Sequence, residues 1–316
     1  MEIYRSNNGQ VAKYVHDDGS ETAIKTIPPG EIGCGGYGSI GNKYNVFIST
    51  SVGCPVSCRF CYLTTKNCPY FKLSNDTIIS NIISAIKTEL TYRPELKKMY
   101  TKLSWMGMGD GYFDTKQVYD VTIAVADILQ NQALSKGLDG VDIATTLPRI
   151  PTKQEDYIRN LAFTIDSYKL NSKRDYYGKS SRKPVRVFYS LHSAFDETRK
   201  FLIPKTSDLK DALNYLLSLY REDDISIIFH QMFFKGLNDD LREVAQVIKW
   251  LDEFDNIELR LLRFNKCPGT IFEESDKFNY LVDYIYKYHD NIKVQTSPGA
   301  EILASCGMFL LSKFSK

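Results

Sequence analysis

At 316 residues, with 43% hydrophobic and 25% charged side chains, the chain has the make-up of a globular protein large enough to bury a substantial core. No apolar run reaches the ~20 residues that a bilayer crossing needs, and the opening MEIYRSNNGQ lacks the basic-then-apolar character of a signal peptide, so a cytoplasmic protein with no membrane partner is expected. A net charge of +2 is nearly neutral, and any nucleic-acid partner must come from a local patch.

In chain order, residues 1–45 read as a short β extension. YVHDDGSETAIKTI suits a hairpin turning at Asp18-Gly19, and the Gly-rich PPGEIGCGGYGSIGN that follows suits a loop. From 46 to 316 short apolar runs alternate with amphipathic stretches. The spacing predicts strands over 45–50, 102–108, 140–145, 185–191, 225–233 and 257–264, and helices over 74–91, 115–130, 153–162, 206–220, 239–252 and 274–289. Val118, Val121, Ala124, Val125 and Ile128 illustrate the helical period. Six strand–helix units point to an α/β fold with a parallel sheet and right-handed crossovers. No dinucleotide glycine fingerprint follows the first strand, so a partial (β/α)6 barrel is expected, with no large accessory domain.

In such a barrel the chemistry sits at the C-terminal strand ends. The unusual residues collect there: the cysteines after the first strand, MGMGDG after the second, TTLPR after the third, SLH after the fourth and FNKCPG after the sixth.

Seven cysteines, an odd number, argue for metal ligation or thiol chemistry over a disulfide framework in a reducing compartment. Three of them, Cys54, Cys58 and Cys61, fall within SVGCPVSCRFCYL. Three thiolates suit a soft metal or an iron–sulfur cluster. A structural zinc normally takes four ligands in separated pairs, and here it would need Cys68 or a distant His. A 4Fe–4S cubane on three cysteines instead leaves one iron open to a small molecule.

This C-x3-C-x-aromatic-C loop resembles that of the radical SAM superfamily. The series STSVGCPVSCRFC, MGMGDG, ATTLPRIP, YSLHSAFDETRKFLIP, FHQMFFKGLND, RFNKCPGT and EILASCG is similar to the class A radical SAM methylases of adenosine carbons in ribosomal and transfer RNA (the RlmN/Cfr family), from about residue 10 to 310. The resemblance implies a 4Fe–4S cluster on Cys54, Cys58 and Cys61, with S-adenosylmethionine (SAM) bound at its open iron. It implies SAM contacts from Gly109 and Asp110, where the family has Gly-Glu, from Thr145 and Thr146, where it has serines, and from Ser190 and Asn265. Each of these, taken alone, is equally a residue that caps the next helix. The resemblance further implies that Cys306, in LASCG, accepts a methyl group from one SAM, and that a radical from a second SAM then drives its addition to an sp² carbon of adenine. A flavodoxin- or ferredoxin-type electron donor is implied as well.

The match fails in places. The family's second catalytic cysteine falls at Phe47, so either Cys34 or Cys267 substitutes or the reaction ends differently, as in a same-lineage enzyme that cleaves SAM with another outcome. The family's proton-accepting Glu falls near Ala23, with Glu21 two residues away. An inserted stretch, 168–186, is rich in Lys and Arg and interleaved with tyrosines. Lys173, Arg174, Tyr176, Tyr177, Lys179, Arg182 and Lys183 make it either a phosphate- and base-binding patch for RNA or a solvated loop. His192 reads as part of the SLH motif, while His16, His230 and His289 read as isolated. Asp239, Asp240 and Glu243 show no pairing for acid–base work.

Overall fold

The computed structural model of the chain describes residues 1–26, 32–33, 36–37, 43–170, 183–221, 224–254, 257–295, 297–305 and 307–309. Most of the Gly-rich loop and the basic stretch through Arg182 lie outside them.

Ten strands form one mixed sheet, in which spatial order follows chain order. Three antiparallel strands come first: β1 (Glu2–Arg5), β2 (Val11–Val15) and β3 (Glu21–Thr26). The hairpin turn between β2 and β3 falls at Asp17–Ser20, with Gly19 at φ 87°, as the Asp-Gly pair predicts. β3 pairs antiparallel with β4 (Lys43–Phe47), which begins a parallel series: β5 (Tyr100–Trp105), β6 (Gly137–Thr145), β7 (Val185–Ser190), β8 (Ile225–Gln231), β9 (Glu258–Leu262) and β10 (Ile292–Gln295). Six parallel strands were expected from the sequence and seven are present. IKVQ of β10 is too short and too polar to stand out by period. The sheet is open: β1 and β10 are its two ends, and they do not pair.

Helices run between the parallel strands. The main ones are α1 (Tyr62–Thr65), α2 (Asn75–Tyr92), α3 (Thr115–Asn131), α4 (Tyr157–Leu170), α5 (Asp196–Leu202), α6 (Leu209–Tyr220), α7 (Leu241–Leu251) and α8 (Phe278–Ile285). The starts of α2, α3 and α7 are fixed by side-chain caps. Ser74 accepts from Thr77 N, Asp114 from Gln117 N and Asp240 from Glu243 N. The helices' apolar stripes (Ile78, Val118, Leu161, Leu216, Val247, Leu281) pack in one core with Val141, Ile143, Val187, Phe229 and Leu259 of the strands. Among the described residues no helix is long and apolar enough to cross a membrane.

The strand residues that alternate with this core are largely polar and yet buried. Asp142 binds Lys102 at 2.8 Å and Arg186 at 2.6 Å, and Glu258 pairs with Arg260 and Lys293. Parallel strands covered on both faces usually read as continuous apolar runs. VRVFYS and IELRLL break that pattern with inward charges, Arg186 in the first and Glu258 and Arg260 in the second.

The N-terminal hairpin is docked by one carboxylate. Glu89 of α2, with its side chain 1% exposed, takes a two-pronged bond from Arg5 (3.0 and 2.8 Å) and further bonds from Arg93 and Tyr14. Burial alone would raise the Glu89 pKa, but the hydrogen bonds from Arg5 and Tyr14 and the Arg93 charge overcome it and hold the carboxyl below its ordinary value. A depressed carboxyl pKa adds stability above the unfolded value and loses it as pH falls through the folded one. Glu89→Ala is therefore expected to cost about 3–5 kcal/mol of unfolding free energy at neutral pH, with the deficit shrinking below the carboxylate range, in urea titrations at several pH values.

Candidate functional site

The loop after β4 carries the three cysteines. Ser57 adopts a left-handed φ of 60°, which folds the loop back on itself. It is then pinned on two sides: Arg59 N donates to Leu202 O at the end of α5 (2.9 Å), and Tyr62 N donates to Gly307 O (2.9 Å). Cys61 caps α1, with Cys61 N bonded to Cys58 O at 3.0 Å.

The loop after β5 approaches so closely that only glycine fits. A Cβ on Gly107 would lie 2.6 Å from Ser49 Oγ, and one on Gly109, at φ 95°, would lie 2.0 Å from Thr50 Oγ1. This contact throws Asp110 inward. Its carboxylate is buried and accepts four hydrogen bonds: Tyr112 N (2.9 Å) and Thr145 Oγ1 (2.8 Å) on one oxygen, Thr146 N (2.8 Å) and Thr146 Oγ1 (3.0 Å) on the other. Burial raises its pKa and these four bonds pull it back down. The residues after β5 and β6 are thus locked to each other.

A cleft of about 1100 Å³ of atom-free space, its open mouth included, lies at these strand ends. Cys54, Cys58 and Cys61 line it. So do Gly109, Asp110, Thr145, Thr146, Ser190 and Asn265, so all nine residues singled out from separate strand ends meet in one place. His192 and His230 also line the cleft. Both are buried, and their Nδ1 and Nε2 respectively have no hydrogen-bond partner among the described residues. Burial and the Arg199 charge push His192 down to about 3, so both rings are neutral at physiological pH; burial lowers His230 likewise. The expectation that His230 is an isolated residue is corrected: it is part of the cleft wall. His230 lies in the FHQMFFKGLND motif, but nothing in that stretch by itself assigned the ring to the cleft.

Cys54 and Cys58 pack against an apolar cluster that includes Val56, Phe60, Leu202, Met232 and Leu262, and Cys61 packs against a second one that includes Tyr62, Leu63 and Met106. Burial raises the Cys54 thiol to about 12 and the Cys58 thiol well above its ordinary value, with the neighbouring sulfurs and Asp110 adding to the rise. Such thiols become thiolates only when a strong positive charge binds them. Three sulfurs and no further protein ligand in the loop match the donor set of an iron–sulfur cluster with one corner open. Among the described residues, these three cysteines included, no three His, Cys, Asp or Glu side chains stand close enough to hold a single metal ion.

Cys306 and Cys34 lie outside the described residues, as do Lys173, Arg174, Tyr176, Tyr177, Lys179 and Arg182. Lys183 is half-buried, with Nζ donating to Ile225 O at 3.0 Å. The residues around Cys306 are held from the hairpin, a link the sequence did not reveal. Lys13 Nζ donates to Leu303 O at 2.8 Å, and Lys25 Nζ donates to Ala304 O at 2.6 Å and Pro298 O at 3.2 Å. Gly307 and Phe309 line the cleft. Phe309 stacks on Phe47, the position where a second thiol was sought, with centroids 6.5 Å apart. Cys267 is buried in that same apolar cluster. Glu21, also buried, is ion-paired to Lys13 at 2.6 Å.

The comparisons with known proteins come to the same region of protein space. No family model matches the sequence. The RlmN dual-specificity RNA methyltransferase of Nautilia profundicola is 26% identical over 278 residues, covering 87% of this chain and 70% of that protein. The one from Bradyrhizobium diazoefficiens is 24% identical over 315 residues, covering 94% and 70%. A crystal structure of a radical SAM methyltransferase from Sphaerobacter thermophilus superposes with a TM-score of 0.69 at 18% identity, over 98% of this chain and 80% of that one, a likeness of fold. The chain therefore resembles the RlmN-type radical SAM methyltransferases along most of its length.

The Asp110 lock generates a test. Thr145→Val removes one hydroxyl donor to a buried carboxylate and the acceptor of Leu147 N at 2.8 Å. It is expected to cost about 1.5–3 kcal/mol in denaturant titration; an unchanged midpoint would mean the lock is idle.

Proposed function

We propose that this chain is a radical SAM methyltransferase that methylates an sp² carbon of adenosine in RNA, with the strand ends read as those of a partial (β/α)6 barrel. The observation that carries the reading is the convergence of nine residues, from strand ends far apart in sequence, on one cleft. The RlmN relatives, which span nearly the whole chain, support RNA as the substrate class.

In this reading Cys54, Cys58 and Cys61 hold a 4Fe–4S cluster that, when bound, supplies the single electron for splitting SAM. The chain's own residues do the rest. The apolar wall of Val56, Phe60, Leu202 and Met232 keeps water from the sulfurs. Gly109 brings backbone close to the ligand without a side chain in the way. Asp110 is fully engaged by Thr145 and Thr146, so its task is to aim the backbone of 109–111 and 145–146, and the shorter carboxylate does not reach out as a glutamate would. Ser190 and Asn265 present polar groups to the SAM end of the cleft. Cys306 is the methyl carrier. Its thiolate displaces the methyl carbon from the sulfonium of one SAM, giving S-methylcysteine and S-adenosylhomocysteine. The RNA contact is assigned to the basic stretch 168–186, the electron donor to a flavodoxin or ferredoxin type, and the site of action to the cytoplasm.

One observation favours a second reading, in which a same-lineage enzyme ends its reaction differently. Phe47 is 2% exposed, stacked on Phe309, with the Lys25 ammonium 4.5 Å from its ring centre. That site is an aromatic wall. Cys267 lies in the same cluster, and burial raises its pKa, so it stays a thiol there.

Anaerobic reconstitution followed by SAM and peptide mass spectrometry separates the two. The first reading expects one added methyl group on the Cys306 peptide, lost in Cys306→Ala, together with methyladenosine in RNA from cells carrying the wild-type chain. Methylation of Cys306 without methyladenosine selects the second reading. A protein that binds iron and sulfide but leaves Cys306 unmodified defeats the carrier role.

A further inference from the structure

Arg199 of α5 is fully buried, 0% exposed. Its guanidinium donates from Nε to Leu191 O at 3.1 Å, from Nη1 to Ser207 O at 3.1 Å and to the Thr206 hydroxyl, and from Nη2 to Thr146 O at 2.8 Å and Ser190 O at 3.4 Å. Its flat face lies 5.0 Å from the centre of the Tyr189 ring. Every one of these acceptors is neutral, and among the described residues no carboxylate pairs with it. Buried arginines normally meet a carboxylate, because a lone charge in low dielectric is costly. This one is tolerated because five dipoles point at it, and dipoles satisfy its N–H groups without cancelling its field.

The placement of that field matters. Arg199 bonds the carbonyl of Thr146, which follows β6, and those of Ser190 and Leu191, at the end of β7. These are the ledges on which the candidate ligand contacts sit. One turn further along α5, Leu202 O receives Arg59 N from the middle of the cysteine loop. The cation and the three sulfurs are therefore fixed to the same short helix.

We propose that Arg199 is a positioning residue with two tasks: it ties the ends of β6 and β7 into one ligand-bearing ledge, and its unneutralised charge stabilises the extra negative charge that a cluster on Cys54, Cys58 and Cys61 acquires on reduction. The proposal rests on the cluster reading given above. One electron enters from a low-potential reductant, the cluster is reduced, and no bond forms or breaks at Arg199. A fixed positive charge close to an iron–sulfur centre in a water-poor setting raises its reduction potential.

The test uses the anaerobically reconstituted full chain and three variants: Arg199→Lys keeps the charge, Arg199→Gln keeps a donor without charge, and Arg199→Met keeps only the stem. Iron and sulfide are counted, and the midpoint potential is then read by EPR-monitored redox titration. The expected result is a wild-type midpoint for the Lys variant and a shift to lower potential for Gln and Met at equal iron content. A purely structural role would move stability and leave the midpoint in place, so a loaded Gln variant with a wild-type midpoint overturns the electrostatic task. If Gln and Met fail to load while Lys loads and titrates normally, the need for charge is upheld. If Lys fails with them, fork geometry alone is at work and the proposal falls. Wild-type protein that takes up neither iron nor sulfide overturns the cluster reading itself, and this proposal with it.

Discussion

Setting three half-buried cysteines against apolar walls around one cleft is the constraint from which most of the site follows. Thiols in an apolar wall keep their protons, and each neighbouring sulfur raises the cost of ionising the next. The chain spends little of its own charge to relieve this. The cavity wall around them is Val, Phe, Leu and Met, and the nearby carboxylate, Asp110, makes matters worse. An arrangement so hostile to thiolates is stable as a set of neutral thiols or as ligands to a cation, with nothing between. Thiols so placed stay protonated unless a cation binds them, in contrast to a reactive cysteine, which has its pKa lowered by its surroundings.

Around the sulfurs the strand ends are held by polar bonds that are satisfied within the protein. Asp110 takes four donors and Arg199 serves five acceptors, and both reach to Thr146. The two act as nodes of one lattice through which the ends of β5, β6 and β7 are spaced. Such lattices are rigid when complete, because each partner is fixed by another bond and a lost member leaves a buried polar group unpaired. The rigidity falls where ligand geometry needs it, while the helices on the far side are held by ordinary apolar packing.

How much of this was legible in the sequence depends on the kind of signal. The alternating strands and helices were clear from periodicity because the helix-facing side of the sheet is uniformly apolar. The cysteine loop and the glycines of MGMGDG were clear because their spacing is local. The seventh parallel strand was hidden, since IKVQ offers only two apolar residues and a lysine that turns inward to Glu258. α5 was hidden inside a motif, too short to show a period. Asp110 was read as a ligand contact, and its bonds to Thr145 and Thr146 could not be seen because they join residues 35 and 36 apart. The same holds for Lys13 and Lys25, whose carbonyl partners in the C-terminal loop are more than 270 residues away. Two lysines in a short hairpin look like solvent-facing charge until the fold brings a loop on top of them.

Those lysines have a mechanical meaning. The sheet's own ladder stops at β10, and the circuit back to the hairpin is completed by ammonium-to-carbonyl bonds from Lys13 and Lys25 to the loop that follows. A ladder spreads its load over many backbone pairs, whereas this seam is made by side chains, the two lysines and an apolar cluster of Val11, Ala23, Phe47, Ala304 and Phe309. The molecule thus has a preferred parting line. Opening along it would also part Tyr62 N from Gly307 O, and so free one of the two pins of the cysteine loop.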